Sequence, residues 1–264
     1  MFGFIGSISP ARGFALPLAL AWGLGAVATA AWAEGEALFL AGQSKSCARC
    51  SLEKAQLKRR DLAGVDLSAA NLAKAVLHRS RLIGTNFAGA DLTGANLNKT
   101  DLKNASLADA KAAGAMFYES DMSVANLAGA DLTEAKMGRA RLVRAVLDGA
   151  RLEEAILTGA RLDDASLRGA ALMRANLIGV SFRGANLEGA NLEDSGLIDA
   201  VMREANLKGA NLSGADLFGA DLTGANLAGA DLSESRLSRA ILTDAKLDGA
   251  NFKGALMPDG SVHE

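Results

Sequence analysis

The sequence repeats every five residues, and this period restricts the backbone more than any other feature of the chain. The stretch from Ala210 to Leu232 reads ANLSGADLFGADLTGANLAGADL, so a small residue, a polar residue, a leucine, a variable residue and often a glycine recur in that order. The leucine position, called the centre below, runs without a break from Leu52 to Met257. Repetition at a fixed short period is typical of a solenoid, and we therefore predict one repeat domain.

A period of five fits neither a straight helix nor a flat strand. Five helical residues advance about 500°, roughly 140° past a full turn, so the leucines would scatter around the helix axis. In a strand, successive centres would alternate between the two faces, because five is odd. A corner in every repeat removes the conflict, since the centre and the small residue two positions before it can then both point inward. Glycine, two residues after the centre, suits a turn residue with positive φ.

Four such corners close a square coil of about 20 residues, and stacked coils pair as parallel strands. The sequence therefore predicts an all-β fold, a parallel β-helix of about ten coils whose interior is filled by large centres and small partners. Two positions break the pattern. Ala112 is the one small centre, and we expect the larger ring of Phe117 at the next centre to fill the space; Arg60 is the one large residue at the small inward position.

The pattern A-[D/N]-L-x-G closely resembles the pentapeptide-repeat family. The resemblance extends from Leu52 to Met257 and never slips out of register. It implies a right-handed quadrilateral β-helix. Because family functions are diverse, the resemblance does not assign one, and function has to be argued from the surface.

The first 33 residues differ from the repeats and predict a secretory signal peptide. Arg12 precedes an apolar run that ends in Ala31-Trp32-Ala33, an A-x-A cleavage site. We expect cleavage after Ala33 and a periplasmic or secreted protein without a membrane span; the alternative is an uncleaved anchor, since about 20 apolar residues can cross a bilayer. The predicted organisation is a signal peptide at 1–33, an N-terminal cap at 34–51, the β-helix at 52–257 and a short C-terminal tail at 258–264.

Both cysteines lie in the predicted cap, spaced C-x-x-C. The register puts Cys47 at a centre and Cys50 at the next inward position, so both should face the interior across one turn, close enough for a disulfide. Export would add an oxidising compartment. We expect a structural disulfide, with redox or metal-binding thiols as alternatives. Haem attachment would need histidine where Ser51 stands, and zinc needs four ligands, whereas only His78 and His263 could join the cysteines.

Catalysis needs a convergent set of groups in a pocket, and the sequence does not single one out. His78 directly follows a centre and should lie on the surface. Acidic and amide residues precede centres throughout the repeats, so we expect them to hydrogen-bond neighbouring backbone rather than to form catalytic pairs. Examples of such residues are Asp91, Asn96, Asp216, Asp221 and Asn226. We predict that the protein is not an enzyme and uses no cofactor or metal.

Residues 20 apart should stack on one wall of the coil, so the surface can be read by column. One wall carries asparagines that could form amide ladders, and two walls carry charges of both signs. The asparagines are Asn86, Asn126, Asn186, Asn206 and Asn226.

The fourth wall has apolar residues at outward positions. Ile178, Ile198 and Phe218 follow centres in consecutive coils, Ile156 lies beside this column, and Tyr118 lies further along the same wall. An exposed apolar patch of a few hundred Å² is around the size that marks protein interfaces. The alternative is that such residues stack well on any exposed parallel ladder. We therefore predict a partner surface here for an unidentified protein or a second copy of the chain.

Charge and location separate the remaining functions. Without residues 1–33, which contain Arg12 and no acidic residue, the 28 basic residues fall to 27 against 30 acidic ones. This balance does not favour nucleic-acid binding. It also disfavours the DNA mimicry by which some pentapeptide-repeat proteins inhibit gyrase. The sequence predicts a non-catalytic exported scaffold, with an exported thiol protein using Cys47 and Cys50 as one alternative and a DNA mimic as the other.

Overall fold

Parallel bridges join residues that lie 20 positions apart, from Ser46 and Asp66 to Arg236 and Leu256. The computed structural model describes residues 35–264, and the predicted signal peptide at 1–33 lies outside them. Each bridge is a single residue pair between two corners, so the coils stack as the period of five predicts but contain little continuous strand.

The bridges form four ladders, and each ladder defines one wall. Residues on a wall are the bridge residue, the centre that follows it and the two turn residues after the centre. The ladders run from Ser46 to Lys246 on wall 1, from Ser51 to Asn251 on wall 2, from Gln56 to Leu256 on wall 3, and from Asp61 to Ile241 on wall 4.

Every corner is a four-residue turn that starts at a centre. In one example the N–H of Ala55 donates to the carbonyl of Leu52 at 3.0 Å, and Lys54 has a φ of 57°. The second residue after the centre has positive φ in every repeat from Arg49 to Gly254. A bond from the fourth residue to the first, with positive φ at the third, is the pattern of a type II turn. The predicted turn residue is therefore confirmed, and it is often not glycine.

The interior is a continuous column of centres and small residues. Leu157 and Ala160 are fully buried, as are Ala112 and Phe117, so the exceptional small centre leaves neither residue accessible to solvent. Where serine or threonine replaces the inward alanine, its hydroxyl finds a carbonyl, as when Thr100 donates to Leu97 at 2.6 Å. A buried hydroxyl is tolerated only with such a partner.

A short helix over residues 35–40 covers the first coil. Its Phe39 is 1% exposed, and the Arg60 guanidinium donates to the carbonyl of Leu40 at 3.0 Å. Arg60 therefore breaks the inward pattern because it holds the cap. No helix in this part of the chain is long and apolar enough to cross a membrane.

The C-terminal tail turns back on the last coil. Leu256 and Val262 form an antiparallel bridge, and the N–H of His263 donates to Ala255 at 2.9 Å. This hairpin covers the end of wall 3. On wall 1 the last centre, Leu247, is 37% exposed, so the two sides of the terminal coil are covered unequally.

Candidate interaction surface

Asparagine ladders form on wall 1 where asparagines occupy consecutive coils. The amide of Asn206 donates to Asn186, and that of Asn226 donates to Asn206, both at 3.1 Å. The predicted ladder is confirmed for these three residues. It is wrong for Asn86, which donates to Asp66 at 3.0 Å. It is also wrong for Asn126, which accepts a backbone N–H from Ala128 at 3.1 Å, because neither ladder neighbour of Asn126 is an amide.

The acidic and amide residues before the centres hydrogen-bond the backbone, as predicted. Asp91 accepts from the N–H of Thr93 at 2.9 Å, and Asp216 accepts from the N–H of Phe218 at 3.1 Å. The same bond forms at Asn96, Asp221 and Asn226. Between residues 35 and 264 no group of three or more histidine, cysteine or acidic side chains is placed to hold a metal ion.

Charges of both signs alternate on walls 2 and 4. Arg174 lies 2.8 Å from Glu154 on wall 2, and Arg161 lies 2.9 Å from Asp163 on wall 4. Exposed pairs of this kind typically contribute under about 1 kcal/mol each. These walls are therefore solvated surfaces without a distinctive site.

Wall 3 carries the five residues predicted to form a partner surface. Tyr118, Ile156 and Ile178 are 38%, 41% and 38% exposed. Ile198 and Phe218 are half-buried, so they are less exposed than the outward register predicts. The structure thus brings all five residues onto one wall but presents them unequally.

Phe218 is partly covered by two arginines. The guanidinium carbons of Arg236 and Arg239 lie 4.9 Å and 5.3 Å from the centre of its ring. Arg236 also makes a bidentate ion pair with Asp216, with both contacts at 2.8 Å. A cation over an aromatic face is favourable by about 0.5–1 kcal/mol at an exposed site. Arg236 lies one coil from Asp216, so column reading could have found it.

A groove lies beside Tyr118, where glycine replaces the outward side chain of the next coil. Tyr118, Gly138 and Ile156 line this groove of about 350 Å³, together with Lys136, Arg139 and Thr158. Gly138 was not singled out by the sequence, although it is the one glycine among the residues that follow the centres of this wall. A gap in an otherwise filled column was the available signal.

Charged neighbours fix the tyrosine. The Arg139 guanidinium donates to the Tyr118 hydroxyl at 3.3 Å and lies 3.8 Å from Glu119, and Lys99 lies 3.2 Å from Glu119. A hydrogen bond from Tyr118, together with Lys99, lowers the pKa of the Glu119 carboxyl below its ordinary value. The side of the groove is therefore an ordered polar network.

The cysteines and His78 lie away from this groove. Cys47 and Cys50 face the interior of the first coil, 3% and 5% exposed, and the structure joins them in a disulfide with Cα atoms 5.3 Å apart. That geometry suits a structural bond; the redox state of the exported protein stays a prediction. His78 is half-buried on wall 3, near the N-terminal end.

Comparisons with known proteins identify the repeat. The family profile for pentapeptide repeats matches in eight copies, at residues 50–89, 85–123, 125–164, 155–194, 185–224 and 220–257. A search of curated proteins finds no match.

Solved structures of pentapeptide-repeat proteins resemble the chain. One is HetL from the cyanobacterium Nostoc sp. strain PCC 7120, a protein involved in heterocyst differentiation regulation, with 34% identity, a TM-score of 0.53 and coverage of 88% of this chain and 98% of HetL. Another is AT2G44920 from the Arabidopsis thaliana thylakoid lumen, with 32% identity, a TM-score of 0.34 and coverage of 36% and 67%. A third, QnrB1, a plasmid-mediated fluoroquinolone resistance protein, has 18% identity, a TM-score of 0.39 and coverage of 64% and 89%.

The profile covers most of the chain, and the HetL structure matches nearly all of the repeat region. Proteins with this repeat fold as right-handed quadrilateral β-helices, the architecture that the five-residue period predicts. The chain belongs to the pentapeptide-repeat family.

Proposed function

We propose that this protein is a non-catalytic scaffold of about ten coils that acts in an exported compartment and binds a protein through wall 3. The observation that carries the proposal is the row of outward apolar residues on this wall. Tyr118, Ile156 and Ile178 are three of the six large apolar residues that are exposed away from the two ends of the rod; the others are Val124, Val146 and Ile241. These three lie singly on walls 1 and 4, whereas the wall 3 residues lie together.

The interior supports a scaffold rather than an enzyme. Centres such as Leu97, Leu157 and Leu217 are fully buried, so the core is packed and leaves no substrate cavity along the axis. Pentapeptide-repeat proteins are generally non-catalytic. The buried position of Cys47 and Cys50 favours a structural bond over an exported thiol function, because reactive cysteines need access to solvent.

The partner surface is tested by placing charge on wall 3. We expect Ile198→Asp combined with Phe218→Asp to abolish partner capture, or self-association if the partner is a second copy, because two carboxylates would disrupt the apolar contact. The matched control is Val146→Asp with Ile241→Asp, which makes the same change at exposed apolar residues of walls 1 and 4. Pull-down with chain 34–264 and light scattering would measure the two effects, and circular dichroism would verify folding. Equal capture by both variants would refute the proposed surface.

Export is tested separately. We expect the full chain to be recovered from the exported fraction of cells in a form shortened by residues 1–33, and a chain that starts at residue 34 to stay inside. Fractionation followed by mass spectrometry of the N-terminus measures both. Retention of the full-length chain in the cytoplasm would refute export and leave the scaffold surface untouched.

A further inference from the structure

Charge is distributed unevenly along wall 3. The N-terminal part of this wall, residues 56–139, is called the basic half. Its charged residues are Lys58, Arg59, Arg79, Lys99, Lys136 and Arg139, against the single acid Glu119. Glu119 is itself held by Lys99 at 3.2 Å. The basic half therefore has an unneutralised positive charge, although the whole protein is slightly acidic.

The C-terminal part of wall 3 is apolar. This apolar half, residues 156–218, presents Ile156, Ile178, Ile198 and Phe218. Its acids are Asp199 and Asp216, and Asp216 is paired with Arg236 at 2.8 Å. One wall thus changes from basic to apolar along its length.

The groove lies where the two halves meet. Ile156, the Tyr118 ring and Gly138 form its apolar surface, and Lys136 and Arg139 stand at its side. A Cβ added at Gly138 would lie 3.4 Å from the ring carbon Cδ2 of Tyr118, and Gly138 does not have positive φ. The backbone there would accept another residue, so the glycine leaves a space rather than meeting a turn requirement. The space is about the size of one large side chain.

We propose that wall 3 binds an extended, acidic polypeptide segment whose apolar side chain enters the groove at Gly138. This inference rests on the proposed function and names the chemistry of its partner. Acidic side chains of the segment lie along the basic half, and its apolar side chains lie on the apolar half. From Lys58 to Phe218 the wall spans eight coils. At about 4.8 Å per coil this is roughly 38 Å, or about 12 residues of extended chain.

A polypeptide fits these features better than other anionic partners. Duplex nucleic acid would contact the basic half but would find no phosphate-binding group on Ile156, Ile178 or Ile198. A bilayer would need apolar side chains that project into it, whereas Ile198 and Phe218 are half-buried in the wall. A groove of one side chain next to lysine and arginine matches an acidic peptide with an apolar anchor.

Selection from a random 12-residue peptide display library on immobilised chain 34–264 tests the proposal. We expect the enriched peptides to be net acidic, each with an aromatic or large aliphatic residue next to the acids. Fluorescence anisotropy of a labelled enriched peptide should show at least tenfold weaker binding to Lys136→Glu with Arg139→Glu. Gly138→Val, which fills the groove without changing charge, should weaken binding at least fivefold.

The matched control reverses two exposed charges elsewhere, Arg144→Glu on wall 4 and Lys208→Glu on wall 1, and should leave affinity within twofold. Basic or uncharged enriched peptides, no enrichment, or equal binding to all variants would overturn the proposal. Tighter binding of anionic vesicles or duplex DNA than of any peptide would overturn it in favour of those partners. If Ile198→Asp with Phe218→Asp abolishes partner capture while the Gly138 and Lys136 variants retain it, the scaffold function stands and the acidic-segment inference fails.

Discussion

Val124 is a β-branched residue in a left-handed turn, and replacing it with glycine should stabilise the protein. Its φ is 61°, and its side chain is 45% exposed, so little packing is lost on its removal. The left-handed region costs an L-residue about 1–2 kcal/mol, while glycine adds about 0.4–1 kcal/mol of unfolded-state entropy. The net expectation is a gain of about 0.5–1 kcal/mol, or a rise of roughly 1–4 °C in the thermal midpoint.

Gly84 provides the reverse substitution at the matching corner of the same wall. Its φ is 64°, and an added Cβ would meet no atom within 4 Å, so Gly84→Val changes only the backbone preference. We expect a loss of about 1 kcal/mol. The third variant, Val124→Asn, should also gain stability, because asparagine accepts the left-handed conformation more readily than valine does.

Thermal and urea unfolding followed by circular dichroism would measure all three variants. Since coils contact only their neighbours, hydrogen exchange should place the changes in the coils around each substitution. If Val124→Gly fails to stabilise the protein while Gly84→Val is neutral, the turn conformation is not a source of strain. That result would contradict the reasoning for every non-glycine turn residue of the rod.

Three further outcomes follow from burial, charge and the cap. Cys50→Ser should cost about 2 kcal/mol if the cysteine pair is oxidised, seen as faster hydrogen exchange in the first coil, whereas an unchanged rate would indicate free thiols. Hydrogen bonds from the Ser68 side chain and then its N–H lower the pKa of Asp66. Their stabilisation is complete above about pH 4 and is lost as pH falls through the lower folded value, so Asp66→Asn should flatten the acid side of a plot of melting temperature against pH; an unchanged slope would contradict this. Leu157→Ala should cost about 2–5 kcal/mol in urea unfolding, and the partly exposed terminal centre Leu247→Ala clearly less; equal losses would mean that the end of the rod is covered.

The sequence predicted the backbone path because the period of five admits few alternatives. Each inward alanine and leucine is restricted by the space in the coil, and the register carries this restriction from Leu52 to Met257 without correction. The turn conformation followed from the same reasoning, with positive φ at every second residue after a centre. Local rules repeated many times leave little for long-range contacts to decide.

The surface was predicted less well because it depends on contacts between columns. The register placed Phe218 outward, but it could not show that Arg236 and Arg239 lie over its ring. Arg60 looked like a defect in the repeat until the cap helix supplied its partner, the carbonyl of Leu40. Gly138 looked like an ordinary variable position, and its groove exists only because Tyr118 stands in the coil before it. Such features depend on side-chain reach, which a five-residue pattern does not encode.

The coil of 20 residues restricts how this protein can change length. An insertion of 20 residues adds one storey and leaves every downstream side chain facing its original direction. An insertion of five would rotate the remainder of the rod by a quarter turn and separate Tyr118 from Ile178 and Phe218 onto different sides. A partner that reads both ends of wall 3 would therefore tolerate longer or shorter versions only in whole storeys, and its own length would set how many.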